Sequence, residues 1–92
     1  MGEAKILIVE DELIVAHDIK SKLSKMEYDV VGIAHRGEKA LELALETKPD
    51  LILMDIKLSG ELDGIETNRL IQEKMDVPVI YLTAYGLSLI HI

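Results

Sequence analysis

Apolar positions form four short aliphatic runs that alternate with three stretches of helical spacing. Ile6-Leu7-Ile8-Val9 is continuous and bulky, as expected of a central parallel strand covered on both faces. From Glu12 to Met26 the apolar residues Val15, Ala16, Ile19, Leu23 and Met26 recur at steps of three and four, which places them on one helical face with Lys20, Lys22 and Lys25 elsewhere. Tyr28 to Ala34 reads as a second strand. Gly37 to Thr47 reads as a second helix that buries Ala40, Leu41, Ala44 and Leu45, and it ends at Lys48-Pro49, because the residue before a proline is pushed away from helical angles. Leu51-Ile52-Leu53-Met54 is a third strand closed by Asp55, and a polar loop follows from Ile56 to Gly64. Asp63 and Glu66 stand three apart, as in a capping box, and predict a third helix to about Lys74. Val77 to Leu82 is the fourth strand, with Pro78 near its start. The order βαβαβαβ implies an α/β fold with a parallel sheet and right-handed crossovers.

Composition narrows the function. The chain has 92 residues, room for one domain, and 49% of them are apolar, which argues against disorder despite 29% charged residues. Three Tyr are the only aromatics, a poor basis for stacking nucleic-acid bases. A net charge of −7 disfavours direct contact with nucleic acid or anionic lipid and suits divalent cations. The absence of Cys excludes disulfides and thiolate chemistry. No apolar run approaches the roughly 18 residues of a membrane span, and Met1-Gly2-Glu3-Ala4-Lys5 lacks a signal-peptide layout, so a cytoplasmic chain is expected.

In an open parallel sheet the carboxyl ends of the strands share one edge, and ligands bind there. The residues that follow each apolar run are Glu10 and Asp11, then Ala34 and His35, then Asp55, then Thr83. Three strand ends therefore bring three carboxylates and a hydroxyl to one edge. Singly, each has a structural explanation: Asp11 could cap the first helix, and Thr83 could simply end a strand. Together they define a site. Clustered carboxylates repel unless a cation joins them, and oxygen ligands of this kind suit Mg²⁺. Asp55, at the end of a buried strand, can then act as a carboxylate nucleophile, with Thr83 donating to a phosphoryl oxygen. His17, His35 and His91 have no metal-ligand spacing, and His35-Arg36, which follows a strand end and could brush the pocket, is read first as a surface pair. Met26, Met54 and Met75 are read as packing residues.

These residues carry a resemblance to the response-regulator receiver family. Ile6-Leu7-Ile8-Val9-Glu10-Asp11-Glu12 is similar to its first strand and acidic pair, and Leu51-Ile52-Leu53-Met54-Asp55 to its phosphoacceptor strand. Asp63-Gly64-Ile65-Glu66 resembles the start of its third helix, and Pro78-Val79-Ile80-Tyr81-Leu82-Thr83-Ala84 its fourth strand with the switch Thr. The resemblance implies a flavodoxin-like, doubly wound sheet of order 2-1-3-4, with the family's fifth strand and last two helices missing. It implies a phosphoryl group passed from a sensor histidine kinase or phosphotransfer protein to Asp55. It also implies Mg²⁺ ligated by Asp11, Asp55 and the backbone carbonyl of Lys57, with Glu10 acting through water, and an output domain outside this chain. The role implied is a signalling switch, not an enzyme. Ser59 stands where the family usually has Pro, and nothing after Thr83 supplies the family's fifth-strand Lys.

On this reading residues 1–86 are a partial receiver domain. Residues 87–92 are an anomalous tail whose pattern fits a translated vector frame as well as a native strand. Without a fifth strand the fourth becomes an exposed edge through which the chain could self-associate. Three other functions compete. A receiver-like interaction module that is never phosphorylated would need no intact Asp55. A haloacid-dehalogenase-type phosphohydrolase wants a second Asp where Lys57 stands. A flavodoxin-like nucleotide binder wants a phosphate loop where Glu10-Asp11-Glu12 would repel phosphate.

Overall fold

The computed structural model describes residues 3–58, 61–83 and 86–87, with Thr83, Gly86 and Leu87 placed by their backbone alone. The elements run β1 (Lys5–Val9), α1 (Leu13–Lys25), β2 (Asp29–Ala34), α2 (Gly37–Thr47), β3 (Leu51–Asp55), α3 (Gly64–Lys74), β4 (Val79–Thr83) and β5 (Gly86–Leu87). The sheet order is β2-β1-β3-β4-β5. The first four strands are parallel, in register Val9 with Ala34, Val9 with Met54, and Asp55 with Leu82. The expected 2-1-3-4 parallel sheet is therefore present.

Beside it lies a pairing the sequence did not suggest. β5 returns antiparallel along β4, Leu82 opposite Leu87 and Thr83 opposite Gly86. An antiparallel return needs only a tight connection, whereas a parallel crossover needs a dozen residues or more. The outer edge of β4 is thus partly paired, which corrects the expectation of a fully open edge. The doubtful residues 88–92 and Ser59 lie outside the described residues.

Strand side chains alternate between two layers. Leu7, Val9, Ile52, Met54, Val79 and Tyr81 form the larger core with Ala40 and Ala44 of α2 and Ile71 of α3. Ile6, Leu53 and Leu82 face the other way, against Ile19 and Leu23 of α1. Among the described residues α1 is the one helix on that second face, and a groove of about 1060 Å³ opens between it and β3 and β4.

Three expected packing residues stand clear of the core. Met26 is 63% exposed because α1 ends at Lys25 and its chain direction changes there, and Val15 sits at the groove's rim. Leu45 is 42% exposed, while Leu43 packs against the larger core, over Gly32 of β2. Leu43 and Leu45 flank Ala44 symmetrically on the helix, so only the neighbouring strand decides between them. Lys48 closes α2 in the left-handed region, φ 48°, ahead of Pro49.

Tyr81 is buried with its hydroxyl alongside Asn68, yet that oxygen makes no hydrogen bond among the described residues. The Gln72 amide, by contrast, donates to Asn68 Oδ1 at 3.1 Å and to the Val77 carbonyl at 2.7 Å, tying α3 to the start of β4.

Candidate functional site

The carboxyl ends of β1, β3 and β4 share one rim. Parallel pairing of Val9 with Met54 sets Glu10 beside Asp55, and Asp55 is level with Leu82, one residue before Thr83. Glu10, Asp11 and Asp55 each offer a carboxylate oxygen, and these oxygens lie within 4.8 Å of one another. The structure thus brings together three of the residues singled out from the sequence. Thr83 ends β4 at the same rim, but its hydroxyl and the neighbouring Ala84 lie outside the described residues. Lys57 follows two residues after Asp55, and its N–H donates to Asp55 Oδ1 at 3.3 Å.

Glu10 is the most constrained of the acids. It is 4% exposed, and its Oε2 accepts the Glu12 N–H at 3.1 Å. Burial pushes its carboxyl from 4.5 up to about 7; the Glu12 N–H opposes that rise, and the charge of Asp55 and hydrogen bonds shared with Asp11 and Asp55 add to it. A carboxyl so disposed is only partly ionised near neutral pH unless a positive charge takes the proton's place. The donor set therefore fits a hard divalent cation: three oxygen ligands, close together, one of them poorly tolerant of its own charge.

Asp11 stands one residue before the α1 N-cap. The N-cap position is Glu12, which makes no side-chain capping bond, and the first turn is held instead through Glu10. α3 does start as its spacing predicts: Asp63 Oδ1 accepts the Glu66 N–H at 2.8 Å, while the Glu66 carboxylate turns to Arg69. The helix comes so close to the end of β3 that a β-carbon on Gly64 would stand 2.2 Å from the Asp55 carbonyl oxygen. The Gly64 N–H donates to the Ile56 carbonyl at 2.6 Å. Gly37 plays the matching part for α2, where a β-carbon would meet Thr67 Oγ1 at 2.1 Å.

Sequence reasoning ranked the contribution of the β2 end below a surface role. Its last residue, Ala34, accepts the Glu10 N–H at 2.9 Å, and the next, His35, lies with Nδ1 3.2 Å from the Glu10 carbonyl oxygen. A histidine at a strand end adjoining the acidic strand was the available signal.

A parallel 2-1-3-4 sheet with an acidic rim of this kind defines a receiver-type signalling module. The family model for the response regulator receiver domain matches residues 6–89, and the chain belongs to that family. It is 42% identical over 83 residues to the transcriptional regulatory protein YdfI of Bacillus subtilis, covering 89% of this chain and 38% of that one. The solution structure of the PhyR response regulator receiver domain from Erythrobacter litoralis superposes with a TM-score of 0.84 at 35% identity, covering 92% of this chain and 66% of that one. The anti-anti-sigma factor PhyR from Bartonella quintana, solved in complex with the anti-sigma factor NepR, matches with a TM-score of 0.80 at 34% identity over 87% of this chain and 33% of that one. The chain spans about two-fifths of the length of the curated relatives it matches. Receiver domains are generally signalling rather than enzymatic modules, bind Mg²⁺ through acidic residues and interact with kinases or phosphotransfer partners. No helix among the described residues is long and apolar enough to cross a membrane.

Proposed function

We propose that this chain is a phosphoacceptor switch in a two-component relay, with Asp55 as the residue modified. The observation that supports it most is the convergence of Glu10, Asp11 and Asp55 at the end of a buried parallel strand pair. A carboxylate oxygen of Asp55 attacks the phosphorus of a partner's phosphohistidine; the new O–P bond forms as the N–P bond breaks, and the imidazole leaves. Asp11, Asp55 and the Lys57 carbonyl would hold Mg²⁺, with Glu10 acting through water. When bound, the ion neutralises the carboxylates and shields the incoming phosphoryl charge. The Thr83 hydroxyl would donate to a phosphoryl oxygen and carry the switch outward.

In this reading residues 1–86 form the receiver unit and residues 87–92 an anomalous tail, whose first residue, Leu87, pairs with Leu82 of β4. The partners are a sensor histidine kinase or phosphotransfer protein and an output domain, acting in the cytoplasm without direct contact to nucleic acid or membrane. Self-association would use the part of the β4 edge that β5 leaves unpaired. A second reading, a receiver that binds a protein partner without phosphorylation, draws on the likeness to a PhyR solved with NepR.

The test is labelling with acetyl phosphate and Mg²⁺ followed by mass mapping of the acid-labile adduct. The expected adduct sits on Asp55 and disappears in Asp55→Asn. An adduct on another residue, or turnover of a phosphomonoester that survives Asp55→Asn, would overturn the assignment.

A further inference from the structure

We propose that His35 is a positioning residue for the acidic pocket, its ring N–H holding the Glu10 backbone in the conformation that presents the carboxylates to a cation. The inference rests on the cation-binding part of the function proposed above, and assigns within it a residue that supplies no ligand.

The geometry leaves one chemical sense for the contact. A carbonyl oxygen can only accept, so the 3.2 Å approach of Nδ1 to the Glu10 carbonyl places the proton on Nδ1. Glu10 is thereby held at both of its backbone groups by two consecutive residues of β2 and its exit: the N–H by the Ala34 carbonyl, the C=O by the His35 ring. That grip falls just past the last ladder pair, Val9 with Ala34, where strand pairing stops holding β1 and the chain turns into α1.

The turn needs holding. Glu10 and Asp55 repel when both are ionised, and Glu10 lies one residue past the last ladder pair of β1, whereas Asp55 is still paired with Leu82 of β4. The Glu12 side chain at the α1 N-cap makes no capping bond, and the Glu12 N–H is held by the Glu10 carboxylate. An exposed His35 thus takes on a task usual for residues behind metal ligands, orienting a ligand by its backbone and setting affinity without touching the ion. Asn suits a test of this, because its Nδ2 lies the same number of bonds from Cα as His Nδ1 and can donate in its place.

The experiment titrates Mg²⁺ into the full chain by calorimetry at about pH 8, where metal-binding carboxylates are ionised, for the wild type, His35→Ala and His35→Asn, with the thermal midpoint of each recorded. His35→Ala is expected to weaken Mg²⁺ binding about tenfold, the lower range for lost outer-shell contacts, with its midpoint little changed. His35→Asn is expected to recover most of the loss. Unchanged affinity in His35→Ala, or an Asn variant as weak as the Ala variant, overturns the positioning role while leaving the cation site standing. A wild-type chain that takes up no Mg²⁺ overturns both.

Discussion

A β-carbon added to Gly64 would stand 2.2 Å from the carbonyl oxygen of Asp55 and 2.8 Å from the Ile56 Cα. Both obstacles are backbone, so the start of α3 and the end of β3 cannot separate without moving the acidic rim. Gly64→Ala is expected to destabilise the chain by about 1–3 kcal/mol or more, the usual cost of overpacking, and to weaken Mg²⁺ binding. Gly32→Ala is the control: its β-carbon would meet only the Leu43 and Leu7 methyls at 3.5 Å, ordinary contact. Urea unfolding of both variants checks the contrast, and equal stabilities would refute it.

Glu10 makes stability depend on pH. Its folded value, about 7, lies above the ordinary 4.5, so the folded chain holds that proton more tightly than the unfolded chain does. The associated stability is complete below about 4.5 and is lost as pH rises through about 7. The loss is on the order of 1–3 kcal/mol. Glu10→Gln should remove this component of the pH dependence and leave a chain more stable than wild type at about pH 8. Denaturation midpoints of the two chains, compared across that range, read the difference, and parallel curves would show that Glu10 does not titrate in the window.

Asp55 contributes to that shift by its charge. Asp55→Asn is expected to lower the Glu10 value below about 7 while burial keeps it above 4.5. Carboxyl carbon shifts followed by NMR through a pH titration measure it directly. A Glu10 value that rises, or stays unchanged, in the variant would mean that the two acids are not in electrostatic contact.

Tyr81 carries a buried hydroxyl with no hydrogen bond among the described residues, and burial holds its ionisation above the ordinary range. Removing a polar atom that is desolvated and unpartnered relieves a penalty instead of breaking a bond. Tyr81→Phe is expected to be neutral or to stabilise by up to about 1 kcal/mol. A loss well beyond that in a thermal melt would point to a bond between the hydroxyl and the adjacent Asn68 side chain.

Much of the architecture was legible because it is local. Continuous aliphatic runs mark strands covered on two faces, apolar steps of three and four mark helices, and the Asp63–Glu66 spacing marks the start of α3, where the cap bond is found. The family motifs around Glu10-Asp11, Asp55 and Thr83 were equally plain. Less legible were choices between residues equivalent on their own helix. Leu43 packs against the core over Gly32, whereas Leu45 is left 42% exposed. Met26 continues the apolar stripe of α1 but falls beyond the helix end.

Hydrophobic period and strand-end chemistry, both properties of consecutive residues, determined the parallel α/β fold and the acids destined for one rim. The tertiary structure alone decided which segments stand close enough to constrain those acids: His35 against Glu10 across 25 positions, Gly64 against Asp55, and β5 folded back on β4. The physical reason is that contact across strands depends on register and on differences of a few tenths of an ångström in approach distance, which neighbouring residues in the chain do not encode by themselves.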